Sequence, residues 1–273
     1  MDPNEKYKKL LDYLASLQSG IVSLSGGLDS YFLLMAASDA LGEKVMAVTV
    51  STPYMPKQEI MDAVEIAKEI GVKHKLLELP LMDKIKHNPE DRCYLCKHYL
   101  FSVLKEIAKK EGMQFVMDGT NTDDIHDYRP GIRALKELKI VSPFLNQGWA
   151  KKDIRNAAKK RGLGNWNKQP GACLLSRMPY GYEITIHELE MIEKAEQYLT
   201  GMGFDFVRVR SYGNLARIEV SPEDRKRFFS ESVLDEVSSA LREIGYLFVT
   251  MDLGGYRMGS MNLELSEEII KGS

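Results

Sequence analysis

Cysteine is scarce in this chain. Three occur in 273 residues, an odd and widely spread set that cannot make a disulfide framework. No internal repeat or low-complexity tract is present, which excludes collagen-like and disordered classes. No apolar run approaches the roughly 20 residues that a membrane-crossing helix needs. The start, Met1-Asp2-Pro3-Asn4-Glu5-Lys6, is polar and lacks the apolar core of a secretory leader. Net charge is nearly absent as well: 37 basic against 39 acidic side chains leave −2. That balance argues against a broad phosphate-tracking surface, and so against nucleic acid as a partner. The expectation is a cytoplasmic protein with no membrane association, where cysteines act as ligands or reagents rather than staples.

What is present is an ordinary globular composition, 44% hydrophobic with slightly negative mean hydropathy. At about 100–200 residues per domain the length suggests two domains. Apolar spacing predicts helices over 5–17, 31–41, 60–70 and 99–110, and strands over 21–24, 45–50, 72–79 and 115–117. Alternation of this kind implies a parallel sheet covered on both faces, with ligands beyond the carboxyl ends of its strands. Three loops leave those ends: 25–30, 51–56 and 118–133. From 164 to 181 the chain is rich in Gly, Pro, Asn and Gln without periodicity, and reads as a long interdomain loop. Beyond it come a helix (186–199), two strands, a helix (222–244) and a strand (246–251). The fold class expected is therefore α/β, with a smaller α+β domain after the parallel sheet.

The most informative stretch is a strand, then Ser25-Gly26-Gly27-Leu28-Asp29-Ser30, then a helix. Two glycines allow a tight turn, and the helix start presents unpaired N–H groups and a positive dipole end. Such a loop suits a pyrophosphate group. It is neither a Walker loop nor a dinucleotide fingerprint, because both spacings are missing. The plainer alternative is a turn with an N-capped helix. Asp118-Gly119-Thr120-Asn121-Thr122-Asp123-Asp124 lies at the same sheet edge, and its carboxylates suit Mg²⁺. The plainer alternative there is a solvated turn with Asx hydrogen bonds.

Cys93-Tyr94-Leu95-Cys96 sits just ahead of the helix expected from 99, and Cys173 lies in the interdomain loop. Two cysteines three apart can share one metal. Zinc would need a fourth ligand, for which His98 or His87 has no usual spacing. A redox dithiol leaves Cys173 unexplained. An iron–sulfur cluster normally takes four cysteines, though three would leave one iron open to an outside ligand. Small buried core thiols are a further reading.

In the second domain, alternation puts Arg208, Arg210, Arg217 and Glu219 on one strand face, and Val207, Val209, Ala216, Ile218 and Val220 on the other. With a Tyr212-Gly213 turn, Arg208 would face Arg217. Like charges opposed across a hairpin cost stability, which makes sense if an anion sits between them; arginine's planar fork suits phosphate.

Ser-Gly-Gly-x-Asp-Ser after the first strand resembles the signature of the ATP pyrophosphatase (PP-loop) superfamily. Gln169-Pro170-Gly171-Ala172-Cys173-Leu174-Leu175-Ser176-Arg177-Met178-Pro179-Tyr180-Gly181 resembles the LarE family, ATP-dependent sulfurtransferases of nickel-pincer nucleotide cofactor biosynthesis. The likeness runs through 119–124, Asp127-Tyr128-Arg129-Pro130-Gly131, Ser142-Pro143-Phe144, Trp166 and Gly255-Tyr256-Arg257-Met258-Gly259-Ser260-Met261-Asn262. It implies a PP-loop domain over 1–165, an interdomain active-site loop over 166–183 and a small substrate-binding α+β domain over 184–273, with catalysis in the cleft between the domains. It implies ATP held by Ser25, Gly26, Gly27, Asp29 and Ser30, adenosine against Thr49 and Ser51, and further contacts from Gly119, Thr120 and Asn121. Asp124 would take Mg²⁺.

By the same resemblance the substrate is pyridinium-3,5-biscarboxylic acid mononucleotide, met by Arg208, Arg210, Glu219, Arg257, Ser176 and Arg177. Some members sacrifice the cysteine at the position of Cys173; others carry a [4Fe-4S] cluster on added cysteines. The presence of Cys93 and Cys96 points here to a cluster on Cys93, Cys96 and Cys173. The alternatives are sacrifice of Cys173 and a cluster-dependent tRNA thiolase, for which Lys151, Lys152, Arg155, Lys159, Lys160 and Arg161 offer a modest basic face. Sulfide or a sulfur-donating protein is the expected partner, and a homo-oligomer the expected assembly.

Overall fold

The computed structural model describes residues 3–126, 130–164, 166–168, 171–204 and 206–257. The resemblance-bearing Asp127, Tyr128, Arg129, Gln169, Pro170 and 258–262 lie outside them. Contacts gather the described parts of 1–82 and 91–171 into one unit, and those of 83–90 and 172–257 into another.

The first unit holds α1 (Pro3–Ser16), β1 (Gly20–Ser23), α2 (Leu28–Leu41), β2 (Val45–Ser51), α3 (Lys57–Ile70) and β3 (Lys73–Glu78). It continues with α4 (Arg92–Lys110), β4 (Phe115–Met117), α5 (Gly131–Glu137), α6 (Pro143–Asn146) and α7 (Lys151–Lys160). Its four strands are all parallel, in the order β3-β2-β1-β4. Alternate residues of a strand face opposite sides, and both sides are covered. Val22, Val45 and Ala47 pack with Leu10, Leu14, Phe32 and Ile154 on one face. Ile21, Met46 and Val48 pack with Phe101, Leu104 and Leu135 on the other. That is why the strands read as unbroken apolar runs. Helix α2 is buried along most of its length, as a helix without a polar face must be. Beyond the carboxyl end of β1 lie residues 24–27, flanked by the chain leaving β2 and β4.

One expectation is corrected here. Helix α4 begins at Arg92, seven residues before the periodicity suggested, so Cys93 and Cys96 stand on its first turns rather than ahead of it. Those turns are braced from α5. Gly131 lies so near that a Cβ there would come 3.4 Å from the Cys93 carbonyl oxygen, Arg133 stacks on Tyr94, and the Tyr94 hydroxyl donates to Glu137. Such bracing leaves no periodic mark in the local sequence. Helix α7, for which no element was expected, is amphipathic and carries the basic residues of Lys151–Lys160. Ile154, Ala157 and Ala158 form its buried stripe.

The second unit contains α8 (Ile186–Gly201), β5 (Val207–Tyr212), β6 (Leu215–Val220), α9 (Glu231–Ile244) and β7 (Phe248–Met251). Its sheet runs β5-β6-β7, antiparallel then parallel, and Phe204, Val209, Ile218, Leu241 and Tyr246 are among its core. The helix expected over 222–244 is broken, with a 3-10 stretch at Asp224–Phe229 ahead of α9. The hairpin turn is Gly213-Asn214, not Tyr212-Gly213, since Tyr212 pairs with Leu215. Gly213 has φ +67, the left-handed value a two-residue hairpin loop with glycine first requires. Arg208 therefore faces Glu219, and Arg210 faces Arg217. The shift is an even number of residues, so the expected division of arginine and apolar faces survives it.

Candidate active site

The phosphate-loop residues converge at the carboxyl edge of the parallel sheet. Gly26 has φ +77, and a Cβ on it would lie 2.1 Å from the Glu59 carbonyl oxygen. Only glycine fits there. The Ser25 amide donates to the Ser30 hydroxyl at 3.2 Å, and that hydroxyl donates to the Gly27 carbonyl at 3.0 Å. These bonds curl the loop around the start of α2, where backbone N–H groups have no helical partner. Gly119 closes the other side, since a Cβ there would come 3.1 Å from the Ser30 nitrogen. The backbone is thus shaped to receive an anion with several oxygens, which fits the phosphates of ATP.

Asp29 does not face water alone. Lys151 at the start of α7 places its ammonium 2.6 Å from both carboxylate oxygens, and the Asn121 side-chain amide approaches at 3.4 Å. Burial nevertheless outweighs that lysine and raises the carboxyl above its ordinary value. Lys151 went unrecognised as a site residue because a residue 122 positions away leaves no local signal. Lys168 likewise reaches the Gly26 carbonyl and Asp62.

The acidic stretch folds back on itself. Buried Asp118 accepts from the hydroxyls of Thr120 and Ser142. Asp124 accepts from the Asn121 amide, Asn121 from the Asp123 amide, and Asp123 from the Lys151 amide. The Asx alternative accordingly describes the hydrogen bonding, while Asn121 and Gly119 still meet the phosphate loop. Thr49 is buried on β2 and shares a 2.9 Å hydrogen bond with His74; burial lowers that imidazole's pKa. Ser51 ends the same strand, and its carbonyl accepts from the Leu79 amide. Cys96 lies 3.2 Å from the buried Tyr54 hydroxyl. Among the described residues, no group of three or more His, Cys, Asp or Glu is arranged to hold a metal.

The second unit assembles the remaining residues. Cys173, half-buried, precedes a single 3-10 turn, Leu174–Arg177. Arg177 is 3% exposed. Its guanidinium takes both oxygens of Glu196 at 2.9 Å and donates to the carbonyls of Ala172 and Cys173 at 2.9 and 3.2 Å. Arg210, also buried, donates to the Ser176 carbonyl and to Glu219. Glu219 accepts from Arg217 as well, and Arg217 approaches Asp252 at 3.8 Å. Arg208 lies over the Phe206 ring at 4.7 Å; burial, then the neighbouring Arg177 charge, lowers its pKa. Arg177, Arg208, Arg210 and Arg217 thus gather with Glu196, Glu219 and Asp252. Arg257 is exposed. Glu196 was not anticipated, because its partner Arg177 lies in an aperiodic stretch.

Known proteins are similar to this chain in sequence. The queuosine biosynthesis protein QueC family matches residues 19–90, a stretch that includes the phosphate loop. An uncharacterized protein of Synechocystis sp. is 39% identical over 96% of this chain and 98% of its own length. The pyridinium-3,5-bisthiocarboxylic acid mononucleotide synthase of Lactiplantibacillus plantarum is 37% identical over 96% of this chain and 95% of that protein. An uncharacterized protein of Methanocaldococcus jannaschii is 34% identical over 87% of this chain and 90% of its own. A parallel sheet with this phosphate loop, together with these matches, defines a PP-loop enzyme, an ATP-dependent sulfurtransferase. Within that class the chain belongs to the LarE family.

Proposed function

We propose that this chain converts the carboxylates of pyridinium-3,5-biscarboxylic acid mononucleotide into thiocarboxylates, the product class in the name of its Lactiplantibacillus plantarum relative. A substrate carboxylate oxygen attacks the α-phosphorus of ATP, the α–β bond breaks and pyrophosphate leaves. Hydrosulfide then attacks the acyl carbon, the bond to AMP breaks, and the sulfur proton passes to water. Adenylation is needed because a carboxylate oxygen is a very poor leaving group and AMP a good one.

The observation that carries this reading is the grouping of Cys173 with arginines in one unit. Arg177 holds the carbonyls of Ala172 and Cys173, and Arg210 that of Ser176, so guanidinium groups stand on both sides of the thiol's backbone. Arginine forks so placed suit a nucleotide phosphate beside sulfur. In this reading Ser25, Gly26, Gly27 and Ser30 receive the ATP phosphates, with Gly119, Thr120 and Asn121 beside them. Thr49 and Ser51 lie against adenosine, and Asp29 and Asp124 serve the phosphates and Mg²⁺. Arg208, Arg210, Arg257 and Ser176 meet the substrate, Glu219 orients Arg210, and Arg177 acts through the backbone it holds.

Cys93, Cys96 and Cys173 are the proposed ligands of a [4Fe-4S] cluster; the pair one turn apart at the start of α4 has the spacing of a shared site. Such a cluster, if held by these three thiolates, would supply an iron able to take up outside sulfide. The tRNA alternative is weakened by what its basic residues do. Lys151 pairs with Asp29, Lys159 lies over Trp166, Lys160 donates to Asn4, and Arg161 stacks on Tyr7.

The test is anaerobic purification and reconstitution, followed by ATP and the pyridinium dicarboxylate mononucleotide. Brown protein with about four irons per chain, releasing pyrophosphate only with that substrate and yielding thiocarboxylate, is the expected result. Colourless protein that turns over once, with Cys173 lighter by one hydrogen sulfide, would replace the cluster by sacrifice. No substrate-dependent pyrophosphate at all would overturn the reading.

A further inference from the structure

We propose that Asn88 is a positioning residue for Cys173, its buried amide setting the turn that carries the thiol. Asn88 belongs to 83–90, a short segment that packs with the second unit although the chain on both sides of it packs with the first. It is fully buried and holds φ +45, a left-handed value that asparagine tolerates better than other branched or bulky residues. Its side-chain nitrogen meets three backbone carbonyls, those of Leu175, Met178 and Pro179, at 3.3, 2.9 and 2.8 Å. Its own carbonyl accepts from the Gly181 amide at 3.2 Å, and the Lys86 carbonyl accepts from Ile184 at 2.8 Å.

The three acceptors settle which end of the amide points where. Turned over, the side chain would set its oxygen against three carbonyl oxygens and lose every one of these bonds. Together with the arginines, the result is close control of one stretch of backbone. Between Ala172 and Pro179, Arg177 takes the carbonyls of 172 and 173, Asn88 takes 175, 178 and 179, and Arg210 takes 176. Such a stretch has no strand or long helix to hold it, so its shape is held by the side chains that reach into it. An error of an ångström in a reacting atom can cost on the order of a hundredfold in rate.

What the positioned thiol does rests on the sulfur-transfer reading; that Asn88 positions it does not. Two variants separate shape from bonding. Asn88→Gly keeps the left-handed backbone and deletes the amide. Asn88→Asp keeps the outline and, once ionised, opposes carboxylate oxygens to three carbonyls. In the full-length protein, hydrogen exchange followed by peptide mass should rise across 172–181 in Asn88→Gly, and more in Asn88→Asp, while α8 keeps its protection. Thiocarboxylate formation should fall on the order of a hundredfold, and by much more than the first-turnover burst of substrate-dependent pyrophosphate.

Native exchange across 172–181 in Asn88→Gly would overturn the proposal, and so would equal losses in both half-reactions. If both variants fail to fold, the wild type decides: the amides of Ser176 and Met178 should exchange as slowly as those of α8, and fast exchange there would overturn it. Wild-type protein inactive on the pyridinium substrate would defeat the functional reading and leave the exchange result standing.

Discussion

Between Ser25 and Ser30 the backbone is shaped by what its side chains leave out, whereas between Ala172 and Pro179 it is shaped by what distant side chains reach in and hold. The phosphate loop bends where Gly26 can pass within contact of Glu59, and the bonds among Ser25, Gly27 and Ser30 that curl it run between residues five or fewer apart. Lys168 and Lys151 are added from outside, at the Gly26 carbonyl and the Asp29 carboxylate. The thiol segment depends on Asn88, Glu196 and Arg210, up to 91 residues away. The two differ in which half of the peptide group must be kept for the ligand. A loop for phosphate presents N–H groups, and small residues keep them open. In the proposed reaction, a segment that brings sulfur to an anionic substrate gains from having its carbonyl oxygens occupied by donors, because that removes partial negative charge from around the thiol.

This contrast can be broken at either end. The largest effect is expected from Gly26→Ala. The new Cβ meets backbone at 2.1 Å, so the loop must move, and substrate-dependent pyrophosphate release should drop on the order of a thousandfold. Exchange across 172–181 should stay native; a rise there would mean the two regions are not separately built. Next is Glu196→Ala, which leaves buried Arg177 without its bidentate partner. Breaking a buried ion pair by removing one partner costs about 3–5 kcal/mol, visible as a lower melting temperature, and sulfur transfer should fall more than adenylation does.

Lys151→Met sharpens the comparison from the phosphate side with a smaller effect, about 1–2 kcal/mol near neutral pH. Burial already holds the folded-state pKa of Asp29 above its ordinary 3.8. A raised carboxyl contributes stability that is complete below the unfolded value and lost as pH rises through the folded one. Removing the lysine raises that pKa further, because Lys151 is the largest influence lowering it. Melting curves of the two proteins should therefore nearly coincide in acid and diverge as the pH rises through the titration of Asp29. Parallel curves at every pH would remove Lys151 from the carboxyl.

Legibility in the sequence followed range. The strands of the parallel sheet, the phosphate loop and the arginine face could be read because each depends on neighbours a few residues apart. Gly26 and Ser30 act within one turn, and Arg208, Arg210, Arg217 and Glu219 share a face through simple alternation. The hairpin turn was misplaced by one residue because both dipeptides, Tyr212-Gly213 and Gly213-Asn214, contain the glycine. The first turns of α4 were missed since their support comes from Gly131, Arg133 and Glu137. Lys151 looked like part of a basic surface, and only the folded chain brings it to Asp29.

The sequence alone therefore determined the elements and chemistry set by local rules: apolar period, glycine where the backbone must turn left-handed, and charge alternating along a strand. Tertiary structure decided which side chains are joined across tens of residues, as Asn88 is to the turn after Cys173 and Arg177 to Glu196. The reason is physical. Local steric and periodic preferences act over a few bonds of the chain, whereas a buried polar group takes whatever partner the packed fold brings to it.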